Sequence, residues 1–134
     1  MKTLQRKDLV YPELSYQIVG CLFEVYNNLG SGHREKFYQK AIASEFEEKK
    51  IKSIKELPVD LKYKGQTLGK NYLDFLIDDK IVLEIKVGKH FTKQSFDQVF
   101  DYLKIKNLKL GIIANFTSEG VKIHRVVNFK NINS

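Results

Sequence analysis

The sequence predicts an α/β fold with its elements in the order ααβββαββ. Three observations predict it. Two amphipathic helical segments fill the first 50 residues, period-two segments follow from Leu57 to Val87, and a third helical segment separates these from two further strand-like runs. Strands on both sides of a helix in a short chain point to one sheet covered by helices. At 134 residues the chain is long enough for one core and too short for two.

The first helix places Leu14, Ile18, Cys21, Leu22, Val25 and Leu29 on one apolar face, with Glu13, Gln17, Glu24 and Asn28 off it. Pro12 stands at its start, where a missing amide proton does no harm, and Gly30-Ser31-Gly32 ends it. The second runs from about Arg34 to Lys50, with Phe37, Ala41, Ile42 and Phe46 expected inward. Alternation at Leu57, Val59, Leu61 and Tyr63 predicts a strand ending at the Lys64-Gly65 turn. Two strands within Asn71 to Val87 follow, joined by a tight turn at Asp78-Asp79. Thr92 is the expected N-cap of a helix reaching about Lys106, with Phe96, Val99, Phe100 and Leu103 on its apolar face. Lys109 to Asn115 is nearly all apolar, which predicts a strand buried on both faces, and Val121 to Val127 alternates and closes the sheet.

Composition narrows the function. Hydrophobic residues at 43% and charged residues at 29% are those of a globular chain, and no apolar run approaches the roughly 18 residues of a membrane helix. The N-terminal stretch has no apolar core of a secretory signal, so a cytoplasmic location with no membrane partner is expected. The one cysteine, Cys21, cannot form an internal disulfide and reads as a small buried hydrophobe. His33, His90 and His124 are scattered without zinc-ligand spacing, and no phosphate-binding glycine loop or nucleophile elbow is present. The formal net charge is +7, and from Lys86 to Lys109 six lysines face only Asp97 and Asp101. Such an excess fits a polyanionic partner, and it equally serves solubility.

The chemistry concentrates in Asn71 to Lys86, NYLDFLIDDKIVLEIK. Alternation on the second strand sends Glu84 and Lys86 to one face and Leu83, Ile85 and Val87 to the other. Asp74, ten residues before Glu84, comes beside it if the two strands form a hairpin. Charges on a buried strand are costly without a task. Two carboxylates and a lysine at one place suit a magnesium-dependent phosphodiesterase. The plain alternative is the solvated face of an antiparallel sheet, with Asp74 in turn chemistry.

The order of elements, with Asp74 on the second strand and Glu84-x-Lys86 on the third, resembles the PD-(D/E)XK nuclease superfamily. Gly32-His-Arg-Glu35-Lys-Phe-Tyr38 has the form GxxExxY, and with YQKAIASEF, YLDFLIDDKIVLEIKVGKHFTKQ and LKLGIIANF it is similar to the GxxExxY family of that superfamily. The likeness runs from about Leu14 to Val127 and implies a restriction-endonuclease-like mixed sheet flanked by helices, with residues 1–134 as a single such domain.

It implies that Asp74 and Glu84 hold magnesium, or manganese, helped by the Ile85 carbonyl and by Glu35 as a third carboxylate from the helix. Lys86 holds the attacking water and stabilises charge on phosphorus, and Gln98 approaches from the following helix. Tyr102 stands one turn on, as support or a DNA contact, and Tyr38 orients Glu35, packs beneath it or meets nucleic acid. Lys89, Lys93, Lys104 and Arg125 are the expected phosphate contacts. DNA is the expected substrate with RNA also open, a homodimer is compatible, and no separate reader of base sequence is visible. Two other readings stand beside the nuclease: a nucleic-acid-binding module that kept the fold and lost turnover, and a purely structural salt-bridge cluster.

Overall fold

A computed structural model of the chain describes residues 10–88 and 92–132. The elements are α1 (Pro12–Leu29), α2 (Glu35–Glu48), β1 (Ser53–Tyr63), β2 (Gln66–Ile77), β3 (Ile81–Val87), α3 (Lys93–Lys106), β4 (Leu110–Thr117), β5 (Gly120–Val127) and the short α4 (Phe129–Ile132). The predicted order holds, and α4 is an addition. The five strands form one mixed sheet in the order β1-β2-β3-β4-β5. Only β3 and β4 run parallel, because only they are joined by a helical crossover, α3. Among the described residues no helix is long and apolar enough to cross a membrane.

Helices cover both faces of the sheet. Ile18, Cys21, Leu22 and Val25 of α1 and Tyr38, Ile42 and Phe46 of α2 pack on Phe75, Ile77, Leu83, Ile85 and Phe116. On the other face Val99, Tyr102 and Leu103 of α3 pack on Leu73, Val82, Ile113 and Val126. Strand β4 runs between both layers and is buried from end to end, as its apolar run predicts. Gly111 is its one close approach: a Cβ there would lie 2.4 Å from Val99 Cγ1. Gly111→Ala is therefore expected to destabilise the protein by about 1–3 kcal/mol by forcing α3 off the sheet, which denaturant unfolding measures.

Several local expectations are met. Thr92 caps α3 by accepting a hydrogen bond from Ser95 N at 3.2 Å. Asp78 and Asp79 both take positive φ, 52° and 57°, and turn β2 into β3. Cys21 is buried, and burial pushes its thiol up in pKa.

Others are corrected. Phe37, expected inward, is exposed, and Tyr38 takes the core position on the sheet side of α2. Phe96 and Leu29 are also partly exposed, at 38% and 37%. Leu61 and Tyr63 continue the alternation of β1 but meet no core, because residues 61–70 form the end of a long two-stranded hairpin whose side chains are all exposed. Strand β1 begins at Ser53, earlier than the alternation indicates. Glu56 has φ 60°, yet β1 keeps its register with β2 from Ser53↔Ile77 to Leu61↔Gly69 and shifts between Leu61 and Lys62.

Candidate active site

Strands β2 and β3 pair only from Phe75↔Leu83 to Ile77↔Ile81. Continuing that register sets Asp74 opposite Glu84, yet no backbone pair forms there. The two acids replace it. Asp74 N donates to Glu84 Oε1 at 3.1 Å, and Ile85 N donates to Asp74 Oδ2 at 2.7 Å. Each carboxylate thus binds the other strand's backbone at the point where the strands part. The hairpin predicted from Asp78-Asp79 is what brings these residues together.

Leu83 and Ile85 pack against α1 and α2, while Val82 packs against α3, so Glu84 and Lys86 leave β3 on the α3 side. Lys86 Nζ lies 3.4 Å from Glu84 Oε2, and the Glu84 side chain is only 5% exposed. Asp74 faces the other way, to α2, where Gln39 Nε2 donates to its Oδ1 at 2.7 Å. The gap between the strands is where the two faces of the sheet meet.

The electrostatics follow from burial. Asp74 is pushed up to about 8, first by desolvation and then by the Glu84 charge, against the favourable hydrogen bond from Ile85 N. Glu35 adds a smaller push in the same direction. Glu84 is also raised by desolvation, with the Lys86 ammonium as the main opposing influence. Two buried carboxyls whose proton affinity is raised together lack compensating positive charge. That donor set, oxygen-only and short of one cation, fits a hard divalent ion that takes one or two carboxylates and fills its remaining positions with water and phosphate. Strand residues direct N–H and C=O to the same edge, so the Ile85 carbonyl leaves β3 toward the same gap as its N–H.

Glu35 is the first residue of α2. It forms no hydrogen bond to Asp74, and among the described residues no three His, Cys, Asp or Glu side chains gather as a metal-ligand set. The expected third carboxylate is near the pair but not joined to it.

Tyr38 is fully buried, stacked on Phe116 with ring centroids 4.3 Å apart. Its hydroxyl donates to Gly30 O at 2.6 Å and accepts from His33 N at 3.4 Å. It pins the loop between α1 and α2 and so fixes the helix start that carries Glu35. No hydrogen bond forms between Tyr38 and Glu35, and the fully buried ring has no surface to offer a nucleic acid.

Gln98 makes no hydrogen bond to Asp74, Glu84 or Lys86. It borders a separate groove of about 830 Å³ between α3 and the exposed hairpin, together with Val59, Leu61, Asn71 and Ile105. Tyr102 is buried in the α3 layer, which raises its phenol pKa by desolvation. Lys93 pairs with Asp97 at 2.8 Å and Lys104 with Asp101 at 3.5 Å, both along the surface of α3. Arg125, on β5, donates to Val10 O at 3.4 Å and is lowered in pKa by burial. Lys89 lies outside the described residues.

One contact was not anticipated. Gln39 follows Tyr38 and lies four residues after Glu35, the spacing that puts two side chains on one helix face. That spacing was the available signal, and only the hydrogen bond to Asp74 gives it meaning. Gln39→Ala removes the donor to Asp74 Oδ1, and if Asp74 holds an ion the expected loss in ion affinity or activity is about 10- to 100-fold. Gln39→Glu, which adds a third carboxylate beside Asp74, should be worse. Initial rates across pH 6–9 check both, since loss of an orienting group also moves the pH profile.

The comparisons with known proteins bear on the family and the fold. The family model for the PD-(D/E)XK nuclease superfamily matches residues 12–126. The crystal structure of SSO0001 is similar in fold, with a TM-score of 0.52 and 16% identity, over 73% of this chain and 54% of that one. The chain therefore spans about half the length of that structure, and likeness at this identity speaks for the fold alone. No curated protein matches the chain. The matched span contains the split hairpin, Asp74, Glu84 and Lys86, and the chain belongs to the PD-(D/E)XK nuclease superfamily.

Proposed function

We propose that this protein is a nuclease that hydrolyses DNA phosphodiester bonds with the help of magnesium or manganese, and that its GxxExxY motif at Gly32–Tyr38 makes it a member of the GxxExxY group of the superfamily. The observation that carries this reading is the Asp74–Glu84 pair: two carboxylates across a split hairpin, raised together in proton affinity, with a lysine 3.4 Å away.

Asp74, Glu84 and the Ile85 carbonyl are the residues to hold the ion. A bound divalent cation supplies Lewis-acid polarisation of a phosphate oxygen and acidifies water. The protein supplies the rest. Ile85 N and Gln39 fix the two oxygens of Asp74, and Asp74 N fixes Glu84, so the carboxylates need little reorganisation. Lys86 is held at Glu84, where its ammonium can orient water and stabilise charge gathering on the phosphate. Glu35, at the N-terminal end of α2, stands close enough to act on Asp74 through space.

The test is a panel of end-labelled single- and double-stranded DNA and RNA, with magnesium, manganese or EDTA. Cutting that needs the metal and prefers DNA supports the proposal. Binding without cutting in either metal supports a binding module that has lost turnover. Neither binding nor cutting, with no stabilisation by metal, leaves only a structural ion-pair cluster.

A further inference from the structure

The basic residues of this chain are not equally available to an anion. Lys93, Lys104 and Lys70 are each matched to an aspartate, at 2.8, 3.5 and 2.7 Å. Lys36, Lys40 and Lys55 are different. All three are exposed, and none forms an ion pair with a described residue. They border a cavity of about 270 Å³ whose wall includes Gln39, Glu56 and Asp74. Lys36 and Lys40 are one turn apart on α2, on either side of the Gln39 that holds Asp74. Lys55 reaches the same space from β1, where it is paired with Phe75, the neighbour of Asp74.

Like charges four apart on a helix repel, and a third lysine facing them adds to that cost. Among the described residues that line the cavity, Glu56 is the only acid besides Asp74. The cavity holds roughly nine water volumes, far more than one ion fills. An anion larger than a single atom, placed beside Asp74, would relieve the repulsion among the lysines.

We propose that Lys36, Lys40 and Lys55 form the phosphate-backbone subsite of the active site, so that a polynucleotide reaches Asp74 across α2 and the near half of β1, and not across α3. The inference rests on the nuclease reading above and adds the route of the substrate to it. The ligand is a phosphodiester backbone, bound without regard to base sequence, since lysines on phosphates position a strand but do not read it.

The experiment uses the full chain and fluorescein-labelled 20-nucleotide single strands and duplexes, in EDTA so that nothing is cut, over 50–300 mM salt. The triple variant Lys36→Ala/Lys40→Ala/Lys55→Ala should bind at least tenfold more weakly at 100 mM salt. Its plot of log K against log salt should be shallower by about 2 on single strands and by nearly 3 on duplexes, the slopes that three lost phosphate contacts carry. The double variant Lys93→Ala/Lys104→Ala should bind within twofold of the wild type. Circular dichroism and melting temperature of the variants, expected to match the wild type, separate lost contacts from lost folding. Added inorganic phosphate at constant ionic strength should leave binding unchanged; strong competition would make this a site for free phosphate and overturn the proposal. It is also overturned if the double variant loses affinity while the triple variant keeps it, and the nuclease reading then survives. Binding through the three lysines with no metal-dependent cutting supports the route and overturns the nuclease. A wild-type chain that binds no nucleic acid overturns both.

Discussion

Lys86→Ala is expected to reduce metal-dependent cleavage by about 100- to 1,000-fold while leaving the fold intact. The size is that of losing one preorganised group aimed at transition-state charge. The strand that bears the lysine is held by β4 from Ile81 to Val87, so the sheet does not depend on the ammonium. The loss should fall on kcat, with substrate affinity nearly unchanged, because phosphate binding is assigned to other lysines. Removing the ammonium should also raise the proton affinity of Glu84 further, since Lys86 is the main influence holding it down. Activity remaining in the variant should therefore shift to higher pH. Single-turnover rates between pH 6 and 9 measure both effects.

Asp74→Asn should separate function from stability in an unusual way. In the metal-free folded protein Asp74 keeps its proton up to about pH 8, against a reference value of 3.8. Between those values the folded state binds more protons than the unfolded state, so stability from this group is complete below about pH 4 and is lost as pH rises through about 8. An asparagine cannot ionise, and its oxygen can still accept from Ile85 N, while Gln39 can turn its amide to match. The metal-free variant should melt roughly 5 °C or more above the wild type at pH 9, and the difference should shrink at pH 5. Cleavage should be abolished, and the gain in melting temperature that manganese gives the wild type should disappear. Melting curves with EDTA and with manganese at both pH values decide the matter. A variant less stable than the wild type at pH 9 would contradict the electrostatic account.

The hairpin was legible because its signals are local. Two aspartates between apolar runs predict a turn, alternation assigns faces, and together they bring Asp74 to Glu84. Thr92 as a cap and β4 as a two-sided strand were legible for the same reason. What escaped depends on partners distant in sequence. Whether Phe37 or Tyr38 turns inward is set by Phe116, 78 residues beyond Tyr38, and nothing in the helical pattern reports it. The left-handed Glu56 sits within β1 without any glycine to announce it. Leu61 and Tyr63 alternate as a core strand does, but among the described residues no third element covers that end of the hairpin. Lys93 and Lys104, expected as phosphate contacts, also pair with Asp97 and Asp101, four and three residues away, a detail of side-chain reach that spacing alone does not fix. Gln39 sits on the right helix face for the site, but a glutamine at that spacing has many ordinary uses, and its bond to Asp74 spans 35 residues.

The most direct test of the central claim is cleavage of end-labelled DNA by the wild-type chain in magnesium and in EDTA, beside Glu84→Gln purified the same way. The account predicts cutting in magnesium, none in EDTA, and none by the variant in either. Equal cutting by the wild type and Glu84→Gln would contradict it.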